Sequence, residues 1–220
     1  MDTFRVGEAV RFGWETFKTH FLFLWMIFGS VWGISLVFSL LQKGAGKETS
    51  LGTLIGLVAI VLGFIVQLGL IRMYLDLAEG TEDKLAVLFS QHRLIWRYLG
   101  AALLYGLMVA LGLALLIIPG IYWALKYQFF SYLIVDKNLG VLDALKKSAT
   151  MTEGVKWKLL GFALVLCGLN ILGALALVLG LLVTIPVSII AYVYVYRALA
   201  KRSFNDALIS ENAVPTKATA

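Results

Sequence analysis

The sequence predicts an all-α polytopic membrane bundle, with six transmembrane helices arranged as three hairpin units and an amphipathic interfacial helix before each unit. Three observations predict it. Leu159 to Tyr196 is 38 residues without an ionisable group charged near neutral pH, almost twice the roughly 20 helical residues that cross a hydrocarbon core about 30 Å thick. The whole 220-residue chain is 60% hydrophobic and 15% charged, more apolar and less charged than soluble domains. Its lysines and arginines also cluster at intervals that match the alternation of a six-span topology.

Taken in order, Phe21 to Leu41 and Leu51 to Ile71 are uncharged and 21 residues each, one helical crossing apiece. Leu99 to Val135 is 37 residues with a single charge, Lys126, long enough for a hairpin. Pro119 and Gly120 mark its turn, because proline suits the first position of a helix, where its missing N–H has no partner anyway. Pro186 opens the last span by the same argument. The expected spans are therefore 21–41, 51–71, 99–117, 119–135, 157–179 and 185–200.

Lysine and arginine resist translocation, so their distribution over short loops sets orientation. Sixteen of the 19 fall on the side of the N-terminus, leaving Lys43 and Lys47 opposite and Lys126 within a span. Both termini are expected in the cytoplasm. The first twenty residues carry Asp2, Arg5, Glu8, Arg11, Glu15 and Lys18, so no cleaved signal peptide is expected. Residues 1–204 form one transmembrane domain in this reading, and 205–220, with Asn205, Asp206, Pro215 and Thr216, a disordered cytoplasmic tail.

The three interfacial stretches have helical periodicity. In the first, Val10, Trp14, Phe17 and Phe21 recur at spacings of four, three and four, with Glu8, Arg11, Glu15 and Lys18 opposite. Such a helix lies flat on a leaflet. The second runs from about Leu85 to Ile95 through Leu88 and Phe89, and the third from Val141 to Met151 through Leu142 and Leu145. Trp96-Arg97-Tyr98-Leu99-Gly100 parallels Trp157-Lys158-Leu159-Leu160-Gly161, and Ile118-Pro119 parallels Ile185-Pro186, which is the repeat signal.

Several of these features together resemble one family: Gln67-Leu68-Gly69-Leu70 before Arg72, Leu88-Phe89, Ile117-Ile118-Pro119-Gly120, Asp136, Ala144-Leu145-Lys146-Lys147-Ser148, and Pro186 followed by Tyr192 and Tyr196. The chain resembles the YciC-like family of uncharacterised bacterial integral membrane proteins, related to the membrane domain of some glycerophosphoryl diester phosphodiesterases. The likeness covers most of residues 8–200. It implies a helical domain in the bacterial cytoplasmic (inner) membrane with no agreed activity, and no phosphodiesterase domain is expected in these 220 residues.

Chemistry is sparse. His20 and His92 lack a second histidine or carboxylate at metal-ligand spacing, so no metal or cofactor is expected; Cys167 is the only cysteine and reads as a packing residue. No Gly-x-Ser-x-Gly turn, phosphate loop or paired carboxylates occur, and the thirteen acidic residues all lie outside the expected spans. An enzyme is not expected. Nucleic-acid binding is not expected either, since the basic residues are spread over four segments with acidic ones among them.

Polar groups inside a membrane are expensive and therefore candidates for function. They are Lys126, Gln128, Gln67 and Asn170. Lys126 either snorkels to the surface along its stem or faces a cavity and meets an anionic group such as a lipid head; the amides otherwise hydrogen-bond between helices. Gly29-x-x-x-Gly33 and Gly52-x-x-x-Gly56 permit close contact between the first two spans or between copies. Trp14, Trp96, Tyr98, Tyr122, Trp123, Trp157, Tyr194 and Tyr196 read as interfacial belts. The expected role is a non-catalytic membrane protein that associates with lipids or organises a membrane partner, the competing class being a small transporter or exporter of an amphiphile whose cavity Lys126, Gln67 and Asn170 share.

Overall fold

A computed structural model describes residues 4–46, 48–81, 87, 90–176 and 180–213, with side chains to 206. Among these residues the fold is all helical: α1 (Val6–Thr19), α2 (Phe21–Ala45), α3 (Ser50–Ala78), a short 3-10 turn (His92–Leu94), α4 (Ile95–Leu115), α5 (Ile117–Tyr127), α6 (Phe130–Lys137), α7 (Val141–Met151), α8 (Lys156–Leu175) and α9 (Leu181–Ala213). Five helical stretches are long and apolar enough to cross a membrane: Phe21–Ala45, Ser50–Ala78, His92–Leu115, Lys156–Leu175 and Leu181–Asp206. The protein is a multi-pass membrane protein, and Trp32, Trp96, Leu103, Leu175 and other large apolar side chains face outward, the surface that lipid rather than water accommodates.

The expected fourth span, 119–135, is not one continuous helix. Its residues form α5, of 11 residues, and α6, of 8, each too short to cross alone and long enough only in series. The chain turns into α5 at Leu116, whose backbone is extended (φ −162°, ψ 149°), so Pro119 is the third residue of the helix rather than its first. A first-turn proline costs little because that N–H has no helical acceptor in any case. Gly120 meets Gly112 of α4, where a Cβ would come within 2.5 Å of Leu113.

Pro186 is corrected in the same way, since it lies inside α9 and frees the Leu182 carbonyl of its usual donor. The turn before α9 instead brings Gly180 against Gly173, where a Cβ would lie 2.4 Å from the Gly173 oxygen. The two hairpins thus correspond through Gly112/Gly120 and Gly173/Gly180 rather than through their prolines. Small size at the backbone crossing decides the register.

The interfacial helices also differ from expectation. Helix α1 buries Ala9, Gly13 and Phe17, leaving Trp14 and Phe21 exposed, because it packs along α9: a Cβ on Gly13 would lie 2.5 Å from the Val187 carbonyl oxygen. Helix α7 forms where expected, but Ala144, Leu145, Ser148 and Met151 are covered by α4, α5, α6 and α9. Leu85, Leu88 and Phe89 of the second stretch, with Lys47, Lys84, Pro215, Thr216 and Lys217, lie outside the described residues. Residues 205–213 of the expected tail continue α9 as helix. Tyr98 and Tyr196 are buried core residues rather than belt residues, and Cys167 is exposed rather than packed.

The core is built from the second half of α3, α6, α7, α8 and α9. By contrast α2 buries only Leu24 and Ile27, so the α2–α3 hairpin is largely peripheral, and a Cβ on Gly29 or Gly33 would meet nothing within 4 Å. These glycines do not pack span one on span two. Replacing Gly13 by leucine is expected to lower stability in detergent by about 1–3 kcal/mol, the usual cost of forcing bulk into a closed contact, while Gly29→Leu leaves it unchanged. Thermal unfolding of both variants checks this; equal effects would sink the α1–α9 crossing.

Candidate functional site: a polar cleft at a broken helix

The break between α5 and α6 falls at Gln128 and Phe129, inside an apolar sequence with no proline or glycine nearby. Unpaired backbone groups are costly in lipid, so an interruption survives only where other groups satisfy it or where it lines a cavity. Both conditions hold here. The Phe129 N–H donates to Ser148 Oγ of α7 at 3.2 Å, and the Ser148 hydroxyl donates to the Lys126 carbonyl at 3.1 Å. Thr152 Oγ1 lies 3.0 Å from the same carbonyl and shares its one proton among it and the Ser148 and Ala149 carbonyls, while the Gln128 side-chain amide donates to the Leu125 carbonyl at 3.1 Å. The end of α7 thus supplies in side chains what a continuous helix would have supplied in backbone.

Stapling the break turns Gln128 toward α9, where Gln128 Oε1 accepts from the Tyr192 hydroxyl. Beside this pair opens a cleft of about 480 Å³, and its polar lining is Tyr105, Gln128, Tyr132, Asn170, Ser188 and Tyr192. No lining residue is charged. Asn170 is oriented by its neighbours: Nδ2 donates to the Leu166 carbonyl at 2.8 Å and to Ser188 Oγ at 2.9 Å. Since the Leu166 carbonyl can only accept, the nitrogen must face it, and Asn170 Oδ1 is left buried with no partner. An unsatisfied buried acceptor costs about 1–3 kcal/mol.

Of the four polar residues expected to matter, Gln128 and Asn170 share this cleft. Lys126 and Gln67 do not. Lys126 points its ammonium over the Tyr127 ring, 5.2 Å from the centroid, and Gln67 lines a separate groove between α2 and α3 with Ser35, Ser39 and Gln42. The single convergent cavity expected for Lys126, Gln67 and Asn170 is therefore corrected: one amide lies two residues from the lysine at the break, but the two side chains leave in different directions.

A second polar cluster was not anticipated, because all acidic residues lie outside the expected spans. Two of their carboxylates are nonetheless buried. Asp76 is 3% exposed and is gripped at both oxygens by Arg72, at 2.7 and 2.8 Å, the strong bidentate geometry. Asp136 accepts from the Tyr196 hydroxyl at 2.7 Å and from Arg197 at 3.3 Å, with Lys137 at 3.4 Å. Arg197 also reaches Glu79 at 2.7 Å, so one guanidinium ties α3, α6 and α9. Phe129 packs between Tyr192 and Tyr196, with ring centroids 5.8 and 6.1 Å away, and joins this cluster to the cleft.

Uncharacterised proteins of Mycobacterium bovis and Mycobacterium tuberculosis are 30% identical to the chain over 151 residues, which is 66% of the chain and 44% of each relative. The chain thus spans less than half the length of these relatives. No solved structure matches it. Residues 100–208 match the model of an uncharacterised family described as "Protein of unknown function (DUF975)", and that match contains every residue lining the cleft, together with Ser148, Thr152, Asp136 and Arg197.

Proposed function

We propose that this is a non-catalytic membrane protein of the bacterial inner membrane, with both termini cytoplasmic, that holds the uncharged polar group of a lipid or other amphiphile in the Gln128–Asn170 cleft. The likeness to YciC-like proteins and the one-sided distribution of lysine and arginine support the location. The single observation that carries the role is Asn170, which lines an open, charge-free cleft and whose Oδ1 is buried without a donor. A hydroxyl or amide N–H of a bound amphiphile supplies that donor, and ligand sites of this size carry a few oriented polar groups on an apolar lining.

The experiment is native mass spectrometry of the full chain released from mild detergent, comparing the wild type with Asn170→Leu. Loss of one hydrogen bond worth about 1 kcal/mol predicts about a fivefold lower occupancy by co-purified amphiphile. Identical lipid profiles in the two proteins refute the reading.

A second reading, transport of the amphiphile, is favoured by the broken helix, since discontinuous helices line the substrate sites of many transporters. Reconstituted vesicles carrying a headgroup-labelled lipid separate the two: retention without flip is the result expected of a holder, flip that stops in Asn170→Leu that of a transporter.

A further inference from the structure

We propose a second lipid site, on a different face and for a different ligand: the groove between α5 and the start of α8 binds one anionic phospholipid, its phosphate on Lys126 and Lys156 and its acyl chain along Ile118, Ile121, Leu125 and Leu160. The groove has a volume of about 410 Å³ and shares no residue with the cleft, so the two readings stand or fall separately.

Three observations converge on it. Lys156 Nζ donates to the Tyr122 hydroxyl at 2.8 Å and sits 4.3 Å from the centre of the Tyr122 ring, which holds the ammonium at the rim of the groove. Lys126 does not line the groove but lies one helical turn beyond Tyr122 on α5, the spacing that puts both residues on one face of a helix, so a second cation flanks the first. Glu153 forms no ion pair with either lysine, and among the described residues no other carboxylate does. Cations on an apolar surface are costly without a counter-charge.

The surrounding surface selects the kind of anion. Ile118 is 79% and Trp157 84% exposed, and the groove below the ammonium groups is aliphatic. A free phosphate satisfies the lysines but leaves the furrow unused; a zwitterionic lipid fills the furrow but presents the lysines with no net charge. An anionic phospholipid answers both, and Trp157 stands where an aromatic ring marks the headgroup level.

The test uses the full-length protein, delipidated in detergent and titrated with phosphatidylglycerol, phosphatidylcholine or inorganic phosphate, bound lipid being read by native mass spectrometry. The wild type is expected to prefer phosphatidylglycerol, inorganic phosphate is expected not to displace it, and Lys126→Gln and Lys156→Gln are each expected to weaken it about fivefold, equivalent to about 1 kcal/mol per basic residue. Asn170→Leu keeps the preference, which separates this site from the cleft. Equal binding of the two lipids, displacement by phosphate alone, or an unchanged preference in the double lysine variant overturns the proposal. If the double variant fails to fold, the wild type still decides: a preference that survives high salt is not made by these charges.

Discussion

Replacing Arg197 by methionine is expected to cost about 3 kcal/mol of stability, at the lower end of the range for breaking a buried ion pair from one side. The substitution keeps most of the aliphatic stem but removes the guanidinium that joins Glu79 to Asp136. Asp136, whose side chain is 6% exposed, then keeps only the Tyr196 hydroxyl and Lys137. The harm lies in the carboxylate left behind rather than in the lost attraction, so a second change, Asp136→Leu, is expected to restore much of the stability lost to the first. A double-mutant cycle by thermal unfolding in detergent reads this directly. If the two losses simply add, the network is a surface ornament and α3, α6 and α9 are held by apolar packing alone.

The second large effect belongs to Ser148. Its hydroxyl both accepts from the Phe129 N–H and donates to the Lys126 carbonyl, so Ser148→Ala strands a buried donor and costs about 1–3 kcal/mol. Thr152 still reaches the Lys126 carbonyl, and the double variant with Thr152→Val is expected to be worse than either alone. Thr150, an exposed neighbour that bonds only the Lys146 carbonyl of its own helix, serves as the control, with Thr150→Ala near neutral. Because Gln128 is aimed by the same break, Ser148→Ala is also expected to lower amphiphile occupancy of the cleft. A destabilised protein with a full cleft would show that the staple and the site are independent.

What could be read from residues alone depended on how local the cause was. Helix class and solvent were legible because hydropathy and length act segment by segment, and α2, α3, α4, α8 and α9 lie where uncharged runs placed them. The fourth span misled because its composition suits a crossing while its continuity is decided elsewhere, by two hydroxyls on α7. Nothing in Tyr127-Gln128-Phe129 announces the break; Ser148 and Thr152, one turn apart at the end of a polar-looking helix, were its only trace. The same holds for α1, read as a surface helix from Trp14 and Phe21, although Gly13 fixes its buried face by admitting the α9 backbone. Neither Pro119 nor Pro186 opens its helix, and the glycines at 112, 120, 173 and 180 set the crossings.

The candidate residues divide by the same logic. Gln128 and Asn170 were recognisable as costly amides within apolar runs, but only tertiary structure brings residues 128 and 170 to one cleft and sends Lys126 and Gln67 elsewhere. Asp76 and Asp136 lie a few residues past the ends of the expected spans, where a carboxylate ordinarily meets water, whereas the helices continue and bury them. Of the residues that carry the family resemblance, Arg72, Asp136, Ser148, Tyr192 and Tyr196 hold polar contacts inside the bundle.

The central claim is that the cleft beside the broken helix is occupied by a particular amphiphile and not by bulk lipid. Photocross-linking in native membranes tests it most directly, with a diazirine amino acid at Ile189 in the cleft lining and, for comparison, at Trp32 on the exposed face of α2. The predicted result is a restricted set of lipid adducts at 189 that disappears in Asn170→Leu, against a bulk-like set at 32. Adducts at 189 that mirror those at 32 and persist in the variant would contradict it.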